Sequence, residues 1–413
     1  MTFRLIAGEL LLLTYGFAQQ TSHLERGAAL MRGNNLEQAQ REFSEAVKDD
    51  PKSYRAFVNL GIVNAQLQRL AEAESALRKA IELNPASASA HYNLALVLSQ
   101  TGKSREATTE LEAAVRIAPQ NLNAQFNLGS ALVSSGNARA AIEHFEKAAA
   151  MAPEPAILLQ LARAQAQAGL FLDALNTTLQ ISSDRLPPAE RPAFLLLQAR
   201  LYQKAGHPDG AVPVLESAAK LDPHSAEISY SLGFSHYVLE QNEQAAGFLC
   251  DAIRKNPKLD RAYLLLAIVD LAVDKREEAR ALLEKAIAIS PANPFYQCVY
   301  GMILLADGNS RQAIAFLEKA VKENPAYALS HYHLGRALAF EEKWARAGLE
   351  LETAVKRKPD LSEAYYHLSR VYRKLGRTED AARWLEKFRK SRAREDTERE
   401  HLLRMVREQQ EAP

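Results

Sequence analysis

Apolar residues along most of the chain recur three and four positions apart, in stretches of about 12 to 15 residues separated by short polar breaks. That spacing places one apolar stripe on an amphipathic helix, and it predicts helices throughout with no evident strand. The stretches come in pairs. Gly102, Gly136, Gly206, Gly308 and Gly376 mark breaks within pairs, and prolines mark breaks between them. Pro51, Pro85, Pro119 and Pro153 are spaced by 34 residues, and so are Pro223, Pro257, Pro291, Pro325 and Pro359. Proline cannot continue a helix, so it closes the second helix of each pair and opens the next unit.

Aligned on those prolines, other columns appear. One unit carries Phe57, Leu60, Gly61, Ala73, Leu77, Ala80 and Pro85; another carries His331, Leu334, Gly335, Ala347, Leu351, Ala354 and Pro359. The glycine is expected to face the alanine where the two helices cross, with the leucine or phenylalanine filling the gap beside it. These columns make the chain resemble the tetratricopeptide repeat family, whose period is about 34 residues. The first aromatic position matches weakly: Phe57, Tyr263 and Tyr365 are aromatic there, and no unit has tryptophan.

The resemblance implies an all-α fold, a right-handed superhelical solenoid of about eleven helix pairs, with the first helices lining its concave side. The pattern divides the chain into a repeat block at 19–186, a Pro-rich linker at 187–191, a second block at 192–395, and a capping helix and tail at 396–413. Leu402, Leu403, Met405 and Val406 give that tail an apolar side. The fifth unit ends irregularly at Ser182–Arg191, a tolerated insertion or a hinge. Pro213, inside the second helix of the sixth unit, is expected to remove a backbone hydrogen bond and either kink the array or be tolerated there.

The outward positions of the first helices supply candidate binding residues. Asn59, Asn93 and Asn127 repeat at one place in three units, where amides are able to hold the backbone of an extended peptide or bond within their own array. This ladder is similar to the one in the O-linked N-acetylglucosamine transferases. Further on, Leu264, Ile268, Phe295, Met302 and Leu305 read either as an apolar groove or as residues packed against neighbouring helices. Near the end Arg336, Arg370, Arg373 and Lys374, with His333 and His367, form a basic stretch suited to an acidic segment or a carboxylate, or a solvated face. The lysine and asparagine set of the co-chaperone carboxylate clamp is not found.

Net charge is +1 with charged residues at 24%, which gives no global argument for nucleic acid. No phosphate loop, HExxH, CxxC or GxSxG motif is present, so no enzyme and no cofactor or metal is expected. His331 and His333 are two apart and point to different faces, and Cys250 and Cys298 read as packed thiols. Arg4 precedes an apolar run from Leu5 to Phe17, interrupted by Glu9, and Gly16 and Ala18 suit a signal-peptidase site. Residues 1–18 are therefore expected to be a signal peptide, with Gln19 the first mature residue; an uncleaved anchor or a first packing helix is the other reading. The run is shorter than the ~20 residues of a membrane span. The expectation is an exported, periplasmic or secreted scaffold that binds proteins or extended peptides in a bacterial envelope or secretion assembly. Without a signal it would be cytoplasmic. The alternative is a substrate-presenting subunit of a separate enzyme acting on protein or polysaccharide.

Overall fold

The computed structural model describes residues 22–391, and all regular structure among them is helical. The expected signal segment and capping tail lie outside the described residues. The chain forms two compact units, one ending at Pro187 and one starting at Pro188.

The first unit contains five antiparallel pairs: α1 (His23–Arg32) with α2 (Leu36–Asp49), α3 (Tyr54–Gln66) with α4 (Leu70–Leu83), α5 (Ala88–Gln100) with α6 (Ser104–Ile117), α7 (Leu122–Ser134) with α8 (Ala138–Met151), and α9 (Pro155–Gln167) with α10 (Phe171–Leu179). The second contains six: α11 (Arg191–Lys204) with α12 (Pro208–Leu221), α13 (Ala226–Val238) with α14 (Asn242–Lys255), and α15 (Asp260–Ala272) with α16 (Arg276–Ile289). It continues with α17 (Pro294–Ala306) and α18 (Ser310–Glu323), α19 (Ala328–Phe340) and α20 (Trp344–Arg357), and α21 (Ser362–Lys374) and α22 (Thr378–Ser391). Each unit is thus a solenoid segment in which every pair stacks on the next, as the period predicts.

The turn inside each pair is the same. One residue per pair has positive φ; Gly308 (φ 80°) is one of six glycines there, and Asn34, Gln68, Glu240, Asp274 and Glu342 take the place elsewhere. The residue after it donates its N–H to a carbonyl five back, as Asn309 does to Leu304 and Lys343 to Leu338. This is the Schellman closure that ends a helix with a left-handed residue.

The core follows the columns, with one difference from expectation. Ala73, Ala141, Ala245, Ala313 and Ala347 are completely buried. The glycine, however, is opposed chiefly by the large residue four positions after the alanine. A Cβ on Gly61 would lie 2.5 Å from Leu77 Cγ, on Gly129 2.9 Å from Phe145 Cε1, and on Gly335 2.6 Å from Leu351 Cγ. The alanine contributes its backbone: Ala347 O would be 3.1 Å from a Cβ on Gly335. Small size at the alanine brings the helices together, and the missing Cβ of the glycine receives the leucine or phenylalanine.

The weakly matching aromatic position has a separate role. In six units its side chain reaches the carbonyl oxygen of the proline six residues back, which belongs to the preceding pair. Gln125 Nε2 donates to Pro119 O at 2.8 Å, Gln297 Nε2 to Pro291 O at 2.6 Å, Tyr263 OH to Pro257 O at 3.2 Å, and Tyr365 OH to Pro359 O at 2.6 Å. His91 and His331 reach Pro85 O and Pro325 O, each at 3.0 Å. Residues of different chemistry therefore serve one geometric purpose, which is why the column looks degenerate in the sequence.

The two irregular stretches are ordered. Ser182–Arg191 forms one 3-10 turn, Ser183–Arg185, flanked by the buried Ile181 and Leu186. Helix α12 continues through Pro213 without a break. Pro213 and Asp209, whose carbonyl loses its usual N–H partner, are both exposed, so the missing hydrogen bond lies on the outer side of the helix.

Candidate partner-binding surface

In both units the first helices of successive pairs touch one another (α1 with α3, α3 with α5, α11 with α13, α17 with α19, α19 with α21), more than the second helices do. The first helices therefore form the inner side of each segment, and their outward residues line it.

In the N-terminal unit the three asparagines are not equivalent. Asn93 is buried, and its Nδ2 donates to Ser89 O at 2.8 Å, one turn back in its own helix. Asn127 Nδ2 donates to the hydroxyl of Tyr92, in the preceding pair, at 2.9 Å. Asn59 is half-buried and makes no side-chain hydrogen bond to a described residue. The amide N–H groups of Asn93 and Asn127 are thus committed within the array, and the structure does not bring the three together as identical rungs.

In the C-terminal unit Leu264, Ile268 and Leu305 are buried in the core, 1%, 1% and 6% exposed, so these apolar residues pack against neighbouring helices instead of lining an open groove. Phe295 and Met302 are half-buried at its edge, and the Phe295 ring lies 4.8 Å from that of Tyr327.

The basic stretch is the most distinctive surface. Arg336 on α19 and Arg370 on α21 sit at the same place one repeat apart, and Arg373 and Lys374 follow on the last turn of α21. Arg370, Arg373 and Lys374 are exposed and Arg336 is half-buried. Among the described residues none of the four pairs with a carboxylate. Nearby cations do pair, Arg346 with Glu318 at 2.8 Å and Arg377 with Asp380 at 2.7 Å. Instead three of them stand beside aromatic rings: Arg336 over Tyr332 at 5.5 Å, Arg370 over Tyr366 at 5.9 Å and Lys374 over Trp344 at 5.7 Å. Phe340 (66% exposed) and Tyr366 (41% exposed) add apolar area on the same helices.

His333 and His367 belong to this surface in different ways. His333 is buried with its ring 4.8 Å from Tyr332. His367 lies between the Tyr332 and Tyr366 rings, at 5.8 and 5.6 Å. Burial first, and then the charges of Arg336 and Arg370, push its imidazole down to about 4. The neutral ring adds no charge at pH 7, so the field here comes from the arginines and the lysine.

A second polar cluster lies further back on the inner side of the same unit. Arg200 from α11 and Arg261 from α15 converge on one oxygen of Glu227 from α13, Arg200 at 2.9 Å. Reading outward positions singly misses this cluster. Glu227 and Arg261 occupy the same repeat position one unit apart, and that reversal of charge is the signal in the sequence.

Among the described residues no group of three or more His, Cys, Asp or Glu side chains is placed to hold a metal. No described helix is long and apolar enough to cross a membrane.

Tetratricopeptide repeat profiles match residues 24–88, 126–188, 196–260, 300–360 and 339–395, and two further profiles of that description match 86–154 and 261–285. The chain belongs to the tetratricopeptide repeat family. Solved structures that resemble this repeat protein include yeast Tom70, 15% identical with a TM-score of 0.49, covering 94% of this chain and 95% of that one. The Cut9–Hcn1 hetero-tetramer of APC/C is 11% identical at a TM-score of 0.48, covering 93% and 96%. YrrB, described as having an unusual peptide-binding site, is 19% identical at 0.38, covering 48% and 97%. No curated protein matches the chain in sequence.

Proposed function

We infer that this tetratricopeptide repeat protein is a non-catalytic scaffold that holds an acidic segment of a partner protein against the inner face of its last repeats. The observation that carries this reading is the set of four cations, Arg336, Arg370, Arg373 and Lys374, without carboxylate partners among the described residues, three of them beside aromatic rings of which Tyr366 is exposed. Unpaired positive charge attracts acidic residues, and the rings give their neighbours apolar contact. The scaffold works in an envelope or secretion assembly, a placement supported by the apolar run at Leu5–Phe17 with small residues at Gly16 and Ala18.

Fluorescence anisotropy with a labelled, capped hexa-aspartate peptide tests the binding. Changing Arg370, Arg373 and Lys374 together to Gln is expected to weaken it about tenfold at low salt, about 1.4 kcal/mol, and to flatten its salt dependence. Unchanged affinity with an unchanged circular dichroism spectrum would remove this surface from consideration. Cell fractionation with sequencing of the mature N-terminus tests the placement; a cytoplasmic chain that keeps residues 1–18 would overturn it.

A further inference from the structure

The cluster around Arg261 is more than an internal ion pair. Arg200, Gln203, Lys204, Tyr230, Ser231 and Arg261 line a cavity of about 80 Å³. About 10 to 15 Å³ of such space holds one water, so the cavity has room for several waters or a carboxylate group.

Three features prepare the cavity for an anion. First, Glu227 bonds both guanidinium groups through a single oxygen, Oε2, so two full positive charges share one negative charge. Second, the Nε–H of Arg261 is buried and has no acceptor among the described residues. A buried donor without an acceptor costs about 1 to 3 kcal/mol, and an incoming oxygen recovers it. Third, the walls are fixed. The Arg261 guanidinium lies over the Tyr230 ring at 4.7 Å. Gln203, 8% exposed, donates both amide hydrogens across to α13, to Ser231 O at 3.0 Å and Ser235 Oγ at 2.8 Å. Asp260, beside Arg261 in sequence, is occupied by the Ser290 hydroxyl and the Arg261 backbone N–H. An arginine with an unused Nε–H donates to an anionic oxygen there, and the small space favours a carboxylate over a bulkier phosphate.

The geometry points to a receptor for one carboxylate of the bound acidic segment, with Glu227 as the built-in competitor for the same arginines. The site extends the acidic-segment reading above but uses separate residues, with Arg261 two pairs before Arg336 and three before Arg370. Its test therefore separates from the test at Arg370. Glu227 gives the receptor a threshold: an isolated anion must compete with it, whereas a carboxylate tethered to a segment already held elsewhere arrives at high effective concentration.

The experiment follows the Nε–H resonance of Arg261 in the full chain labelled with ¹⁵Nε-arginine, assigned by its absence in Arg261→Lys. Sodium acetate, inorganic phosphate and capped hexa-aspartate are titrated against sodium chloride at equal ionic strength. Acetate and hexa-aspartate are expected to shift the resonance saturably, and Glu227→Gln to tighten acetate about tenfold without moving the melting midpoint by more than a few degrees. The variant with Arg370, Arg373 and Lys374 all changed to Gln should keep the acetate response and lose affinity for hexa-aspartate. Phosphate binding more tightly than acetate would make this a phosphate site and overturn the carboxylate assignment. A resonance that no anion moves in either the wild type or Glu227→Gln would overturn the receptor outright, whatever the result at Arg370.

Discussion

His331 and Glu350 lie 2.6 Å apart, imidazole Nδ1 to carboxylate Oε2, while the other ring nitrogen of His331 lies 3.0 Å from Pro325 O. A carboxylate and a carbonyl only accept, so both ring nitrogens must donate and the ring is charged. The Glu350 hydrogen bond accordingly raises the His331 pKa above 6.5, against the opposing effect of burial. A raised folded-state pKa means the stabilisation is fully present below the unfolded value and is lost as pH rises through the folded one. His331→Gln keeps the reach to Pro325, as Gln297 shows for Pro291, and loses the charged bond. It is expected to cost about 1 to 2 kcal/mol at pH 6 and less at pH 8. Urea melts at the two pH values check this; equal losses at both would exclude the charged bond.

His367 has the opposite sign. Its pKa of about 4 stands below the ordinary 6.5, so the folded state disfavours the charged ring. Its contribution is complete above 6.5 and is lost as pH falls from there toward 4. An acidic ligand over Arg336 and Arg370 should raise this pKa, as should Arg336→Gln, which removes one of the repelling charges. Ring-proton titration by NMR, with and without hexa-aspartate, reads both effects. A His367 pKa that the peptide leaves unchanged would place the ligand elsewhere.

The close approach of Gly335 to Leu351 sets a steric test. Gly335→Ala puts a Cβ 2.6 Å from Leu351 Cγ in a packed core, and should destabilise by about 1 to 3 kcal/mol. Gly335→Ala combined with Leu351→Ala relieves the clash, so the pair should lose less than the sum of the single changes. Additive losses would show that the two residues do not meet.

Glu342 holds the left-handed turn position at φ 56° while exposed to solvent. Glu342→Gly should stabilise by about 0.5 to 1 kcal/mol, because relief of the strained backbone outweighs the added freedom of the unfolded chain. Gly308→Ala, at φ 80°, should destabilise by a similar amount. Thermal melts of both variants decide; a destabilised Glu342→Gly would mean the side chain contributes more than its turn costs.

Much of the fold was legible because it repeats. A proline every 34 residues and an alanine column that is fully buried state the helix pairing directly, since one constraint is written many times. The site was legible only in part. Arg336, Arg370, Arg373 and Lys374 could be placed on one face because they lie on a helix at known phase. Whether a carboxylate neutralises them depends on neighbouring pairs, which periodicity does not encode. Leu264 and Ile268 show the same limit: an outward position on one helix is covered when the next first helix packs closely. Gln125 and Tyr263 were hard to read for another reason, since the structure asks only for a donor of suitable length and several residue types supply it.

The bond from each of those donors to the proline before it bears on how the protein can be cut. Pro325 belongs by sequence to one helix pair, yet its oxygen anchors His331 of the next. A fragment for expression that begins at Tyr327 would contain every residue of α19 and leave that histidine without its mooring. One that begins at Asn324 carries the anchor along, so the natural seam for dissection lies ahead of the proline and not at the start of the helix.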